Sequence, residues 1–416
     1  MQRALMVLFL ALAPCLAVAA PPPLPVGPEI RVNAGEVGSY LNPQVAVFPD
    51  GGFVVVWTVG PSGPGRTVLH ARLFDAAGNP RSGQFLLVRQ PGSQAVEAVA
   101  ADRDGTFLVA WDHISYTGRT SLFVQRFSRE GSAADTPVRV CAGCGVCTTC
   151  GPTLQAYNGK LAVDPRGGFA VAWSAGVGDH YNTYARRFSH QGLPAGAELV
   201  VAQGTDGNDG SDALASAVGV GPDGTLFVGY EIFADGHSIE LARFDAADQP
   251  VGDFDRLLPP DGAIGPSVNI APDGSFVVAW ANGRIDDAAF FLFDSAVSAR
   301  RFAADGTPLE SASFQVNRRG SFEAFPQTVA LSGGAFITVF TDFRGRDGSG
   351  DGVFGRAFAA DGTPLTGDFH VNLTTAGDQI ATSVAAGANG QIVVVWQSSI
   401  GPALILARRL TAPPAF

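Results

Sequence analysis

The chain is 416 residues long and carries 38 acidic against 27 basic side chains, for a net charge of -11 at pH 7. No surplus of cations is available to replace phosphate counterions, which argues against nucleic acid or an anionic membrane as a partner. Lys160 is the only lysine, a skew that reads as a coding bias toward arginine.

The first residues, "MQRALMVLFLALAPCLAVAA", place Arg3 ahead of a short apolar run that ends in Ala17-Val18-Ala19, the small-x-small pattern of a signal-peptidase site. The run is shorter than the ~18 residues that span a bilayer, and Pro14 interrupts it, so residues 1–19 are expected to be a cleaved signal with no membrane insertion afterwards. A Pro-rich linker is expected over 20–28. The protein is therefore expected to be secreted, periplasmic or held at the cell surface.

One unit then repeats. Its first half appears as "VAVFPDGGFVVVW", "AVAADRDGTFLVAW", "LAVDPRGGFAVAW", "VGVGPDGTLFVGY", "VNIAPDGSFVVAW", "VALSGGAFITVF" and "VAAGANGQIVVVW". These seven copies end on Trp57, Trp111, Trp173, Tyr230, Trp280, Phe340 and Trp396, at intervals of 50 to 62 residues by subtraction. The second half recurs as "ARLFDAAGNP", "RRFSHQGLP" and "RRFAADGTPL". Asp-Gly and Gly-Gly pairs between apolar runs predict two-residue hairpin turns, and so four strands per unit. "FVVVW" is apolar on both faces and must be covered on both sides, as in a small sheet packed between two others. Four strands repeated seven times predict an all-β fold, a seven-bladed β-propeller over 29–416. The last unit lacks its fourth strand. "EIRVN", Glu29 to Asn33, matches the fourth strands "SFQVN" and "DFHVN" and is expected to complete the last blade and close the ring.

In these motifs the chain resembles a family of exported bacterial repeat proteins with units PDG-x-F-V-V-x-W, then R-F-x-A-x-G-x-P and E-F-x-V-N, and more distantly the TolB-type propellers. The resemblance implies the fold and export; it implies no activity.

If the short turns join strands one to two and three to four, the opposite face collects the long loops, including 343–352, 282–295 and the blade connections. On that face Asp342, Asp347 and Asp351 form one candidate set of oxygens for Ca²⁺, and Asp206, Asn208, Asp209 and Asp212 a second, although neither matches an EF-hand loop and both suit solvated turns. His113, His180 and His237 fall in corresponding loops and form a weaker metal or acid/base candidate. Asp112 and Glu231 each follow an anchor aromatic, near the mouth of the central channel, where paired carboxylates would suit glycoside hydrolysis. Neither a sialidase Asp-box nor a G-x-S-x-G elbow occurs. Arg126, Arg187, Arg243, Arg301 and Arg409 recur blade after blade, which points to a structural task in place of an anion site.

The stretch "CAGCGVCTTC" holds Cys141, Cys144, Cys147 and Cys150. In an oxidising compartment it predicts two disulfides. A hairpin turn at Gly145-Val146 would pair Cys141 with Cys150 and Cys144 with Cys147 on opposite faces; convergence of all four thiolates on one metal is the competing arrangement. The sequence thus describes an exported binding or scaffold module whose long-loop face takes a glycan, a protein or a surface polymer, with a propeller hydrolase or lyase as the alternative. Calcium is the one cofactor it suggests, and oligomeric state is not legible.

Overall fold

The computed structural model describes residues 25–34, 39–60, 66–141, 156–177, 180–205, 212–233, 237–252, 255–256, 262–286, 291–317, 323–400 and 404–411. They form seven four-stranded antiparallel sheets, and a single turn of 3-10 helix, Ser332–Gly334, is the only helical element among them. The first strands of successive units, beginning with Ser39–Val47, Ser93–Ala101 and Ala156–Val163, pack against one another around the ring and line its axis. This is the seven-bladed β-propeller.

Its second strands explain why the fold is a ring of stacked sheets. Phe53–Gly60 and Phe107–Ile114 are buried along almost their whole length, and all seven anchor aromatics are 3% exposed or less. Each hydrophobic cluster is shared by two neighbouring blades; Trp57, for example, packs with Val393 and Val395 of blade seven. Phe rings also stack across strands two and three, at 4.7 Å for Phe53 and Phe74 and for Phe276 and Phe302.

The ring closes as expected. Strand Pro25–Arg31 is the outer strand of blade seven, with Ile30 opposite Ala407 and Arg31 opposite Leu406. It begins at Pro25, inside the segment expected as linker. Glu29 adds a clasp to the preceding blade: its carboxylate accepts the backbone N–H groups of Leu373 and Thr374 and the Thr374 hydroxyl.

Two details differ from the sequence expectation. The short turns are three-residue loops: in blade one Phe48 and Gly52 close the loop, Gly51 N–H reaches Phe48 C=O, and the positive φ of 86° falls on Gly51 alone. One left-handed residue after a type I turn achieves the reversal that two would achieve in a primed turn. Of the segment 282–295, expected as loop, residues 282–286 and 291–295 instead prolong strands Phe276–Asp286 and Phe291–Phe302, with Asp286 opposite Phe291. Phe291, Leu292 and Phe293 suit a pleated strand better than a solvated loop.

The recurrent arginines fasten blade to blade. Arg187 donates to Asp248 Oδ1 at 2.6 Å and to the Asp245 carbonyl at 2.9 Å, in the outer turn of blade four. Arg243, Arg301 and Arg409 likewise donate to the carbonyls of Asp305, Ala360 and Ala76 in the next blade's outer turn. Arg126 differs in binding Asp102 of its own blade, at 2.7 Å. One residue earlier in the strand, Arg72, Arg356 and Arg408 point to the other side and donate to Val32, Val316 and Val371 of the preceding blade. Side chains alternate along a strand, so adjacent arginines serve opposite neighbours.

Cys144, Cys147 and Cys150 lie outside the described residues, as do residues 1–19, expected as a signal. Cys141 takes part in a disulfide.

Candidate functional site

Every inner strand contains one extra residue relative to its partner. Between Val96 and Ala98 the opposing strand advances one residue, from Trp111 to Ala110, and the same excess occurs in the other six blades, as between Tyr157 and Lys160 in blade three. Such β-bulges bend the strand and re-aim a side chain. The left-handed backbones of Asn42 (φ 56°), Asn158 (φ 59°) and Gly265 (φ 62°) fall at three of them.

The bulges turn polar side chains toward the axis. Gln44, Glu97, Lys160, Ser216, Ser267 and Gln327, from six successive blades, line an axial chamber of about 520 Å³. They sit near the middle of the inner strands. Glu231, from the second strand of blade four, completes the wall.

The chamber contains an acid cluster with a single cation. Asp112 is 7% exposed and stands behind Glu97, to which it is hydrogen bonded. Burial, followed by the charge of Glu97 and that hydrogen bond, pushes Asp112 up to about 8, against the pull of the Asn158 N–H and Lys160. Burial also raises Glu97, opposed by Lys160 and by the bond from Asp112. The two carboxyls therefore share a proton, with Asp112 as its holder and donor. Glu231 is raised by burial as well, although the Ser216 hydroxyl at 2.6 Å, the Gly265 N–H at 3.1 Å and Lys160 favour its charge. Lys160 Nζ donates to Asn158 Oδ1 at 2.8 Å, and Asn158 donates in turn to the Ala215 carbonyl of blade four at 2.6 Å. Glu97 of the proton-sharing pair, the Glu231 carboxyl and the Lys160 ammonium thus face one chamber, with Asp112 behind Glu97.

Asp112 and Glu231, the two acids expected near the channel mouth, do meet at this chamber, Glu231 in its wall and Asp112 one layer behind. The other candidates lie elsewhere. Asp342 is fully buried and accepts the Arg344 N–H at 3.0 Å, while Arg346 Nη1 approaches it at 3.4 Å. Asp347 accepts the Ser349 N–H at 3.1 Å and the Asn372 amide at 2.9 Å. Asp351 is raised to about 6 by burial and by Asp378, Asp342 and Asp347. Among the described residues these carboxylates do not bring three ligand atoms within 4.8 Å of one another. Of the second calcium candidate, Asp206, Asn208 and Asp209 lie outside the described residues; Asp212 accepts the Tyr181 N–H at 2.9 Å and ties blade four to blade three.

The three histidines also stay apart. His113 lies edge-on to Phe123 in blade two and His237 edge-on to Phe233 in blade four, and neither they nor His180 belong to a three-ligand group among the described residues. One such group exists on the short-turn face: Asp102, Asp104 and His190. There Arg126 already holds the Asp102 oxygen at 2.7 Å, so the trio works as an ion-paired contact between blades two and three.

No protein-family model and no curated protein matches the chain. Among solved structures, a Dyadobacter fermentans protein of unknown function is 12% identical, with a TM-score of 0.56 over 94% of this chain and 100% of that one. The polysaccharide lyase Uly1 is 10% identical, with a TM-score of 0.52 over 92% of each chain. An ulvan lyase bound to GlcA(1-4)Rha3S is 12% identical, with a TM-score of 0.52 over 93% of this chain and 94% of that one. At these identities the likeness is one of fold.

Proposed function

We propose that this protein is an exported propeller that binds a glycan in its axial chamber, entered from the long-loop face. The observation that carries this reading is the polar ring at the bulges. Gln44 and Gln327 offer amides that donate and accept, Ser216 and Ser267 add hydroxyls, and Lys160 and Glu231 supply one charge of each sign. Such a mixed set matches the hydroxyls of a sugar, and a chamber of about 520 Å³ falls in the size range of small-ligand sites. That two propellers of similar fold are named as polysaccharide lyases supports a glycan over a protein or another surface polymer. Export is supported by the signal-like residues 1–19 and by the likeness to exported repeat proteins, and nested disulfides Cys141–Cys150 and Cys144–Cys147 suit that compartment.

A glycan array followed by titration calorimetry tests the proposal. A retained oligosaccharide whose affinity falls about tenfold in Gln44→Ala and Gln327→Ala is the expected result, each change removing roughly one good hydrogen-bonding group. An array on which no glycan is retained would overturn it.

A hydrolase is the second reading, favoured by the proton shared by Glu97 and Asp112 in a chamber that also holds Glu231. Glu97, passing on the proton it shares with Asp112, would protonate the glycosidic oxygen as its bond to the anomeric carbon breaks, and Glu231 would take the proton of the attacking water. Release of reducing ends by the purified protein, lost in Glu231→Gln, distinguishes catalysis from binding alone.

A further inference from the structure

We propose that the chamber selects amine-bearing sugars, its ligand being a hexosamine polymer with free ammonium groups. The inference rests on the glycan reading above and names the substrate class. Two carboxyl groups, Glu97 and Glu231, line the chamber with one cation, Lys160, and a third, Asp112, lies behind Glu97 and is hydrogen bonded to it. The Lys160 ammonium is already anchored on Asn158. Fully ionised, the cluster would carry two uncompensated negative charges out of bulk water, a state so costly that the acids keep protons instead. Asp112 shows the same deficit directly: it is 7% exposed, and its Oδ1 has no hydrogen-bond partner among the described residues.

A ligand ammonium supplies what the cluster lacks, a second positive charge and three donors, and it takes the place of protons that the carboxyls otherwise hold. A uronate or sulfate would do the reverse, adding a fourth negative group beside three acids with only Lys160 to meet it. The remainder of the ring argues for a sugar as the carrier of the amine, because Gln44, Ser216, Ser267 and Gln327 match hydroxyls and leave an aliphatic lysine stem poorly covered.

Binding must then release protons, and affinity must rise with pH until the ligand amine itself loses its charge. The test titrates the intact protein with oligomers of glucosamine, of N-acetylglucosamine, of glucose and of galacturonate, and with an oligolysine peptide. Titrations run below the amine pKa in buffers of different ionisation enthalpy, so that proton release is read directly. The glucosamine oligomer should bind at least about tenfold more tightly than its acetylated counterpart, with net proton release, and Glu97→Gln and Glu231→Gln should erase most of that preference. Circular dichroism and melting of the variants control for loss of fold. Equal binding of acetylated or neutral oligomers overturns this inference and leaves the glycan reading standing, as does preference for galacturonate. Tighter binding of oligolysine overturns the sugar assignment. Binding of none of these glycans overturns both.

Discussion

Asn33→Ala tests how blade seven is closed. Asn33 is 1% exposed, and its Oδ1 accepts the N–H of Ile405 at 2.9 Å. Asn317 makes the same bond to Val297 at 2.9 Å and Asn372 to Val353 at 2.8 Å, each preceded, like Asn33, by a fully buried valine: Val316, Val371 and Val32. The three bonds differ in sequence span, which is 372 residues for Asn33 against 20 and 19 for the other two. Truncation to Ala leaves a buried N–H without its acceptor, at a cost of ~1–3 kcal/mol. With an unfolding entropy of ~2.1 cal/mol/K per residue over roughly 390 residues, that is a fall in melting temperature of ~1–4 °C. Scanning calorimetry of Asn33→Ala beside Asn317→Ala and Asn372→Ala supplies its own standards, since the latter two alter the same bond within a continuous blade. Shifts of similar size in all three are expected. A clear shift in Asn317→Ala and Asn372→Ala with none in Asn33→Ala would refute the shared blade.

Other outcomes follow from the same contacts. Asp112 is raised from its ordinary 3.8 to about 8, so the stability it contributes is full below its unfolded value and lost as pH rises through its folded one; the urea midpoint of the parent should fall across that window relative to Asp112→Asn, and parallel profiles would remove the shared proton. Arg187→Ala should cost ~2 kcal/mol by stranding Asp248 and opening the seam between blades three and four, whereas the exposed Arg81→Ala should leave the denaturation midpoint unchanged. Millimolar calcium should not raise the melting temperature, because Arg346, Asn372 and backbone amides already occupy Asp342 and Asp347; a rise that vanishes in Asp347→Ala would reinstate a calcium loop. Intact mass of protein lacking residues 1–19 and produced in an oxidising compartment should increase by about four hydrogens on reduction, and four alkylatable thiols before reduction would exclude the paired cysteines.

The blades were legible because each repeats one physical solution. An apolar-on-both-faces second strand, a glycine after the turn and an arginine before the third-strand aromatic recur often enough to outweigh any single exception. Glu29 to Asn33 was legible for the same reason, as a fourth strand without a blade of its own. The site was only half legible. Asp112 and Glu231 were visible by their position after an anchor aromatic, but Glu97 was hidden by the register: simple alternation through "SQAVEAVAA" does not reveal the extra residue that turns it to the axis. Lys160 was visible and misjudged. As the sole lysine of a chain that otherwise uses arginine, it was a signal, and its place beside the left-handed Asn158 gives it a specific task.

Repetition itself separates scaffold from site. A side chain that recurs from blade to blade must satisfy a condition those blades share, and the arginines do so by fastening five of the seven seams. The bulge is also present in every blade, so it too belongs to the scaffold, yet it fixes only where a side chain points and leaves its identity open. Glu97 and Ser216 are the residues left outside the pairing, whereas Gln44, Lys160, Ser267 and Gln327 take the first pair after the bulge. Variation at the inward-facing positions in and next to the bulge can accumulate at little cost to folding, and it is there that Glu97 and Lys160 come to stand on adjacent blades. Their charges are not needed to hold the ring together: burial works against Glu97 as an anion, and Lys160 relieves that only in part. Groups held in that condition by a scaffold that would tolerate serine or glutamine in their place are best explained by what enters the chamber.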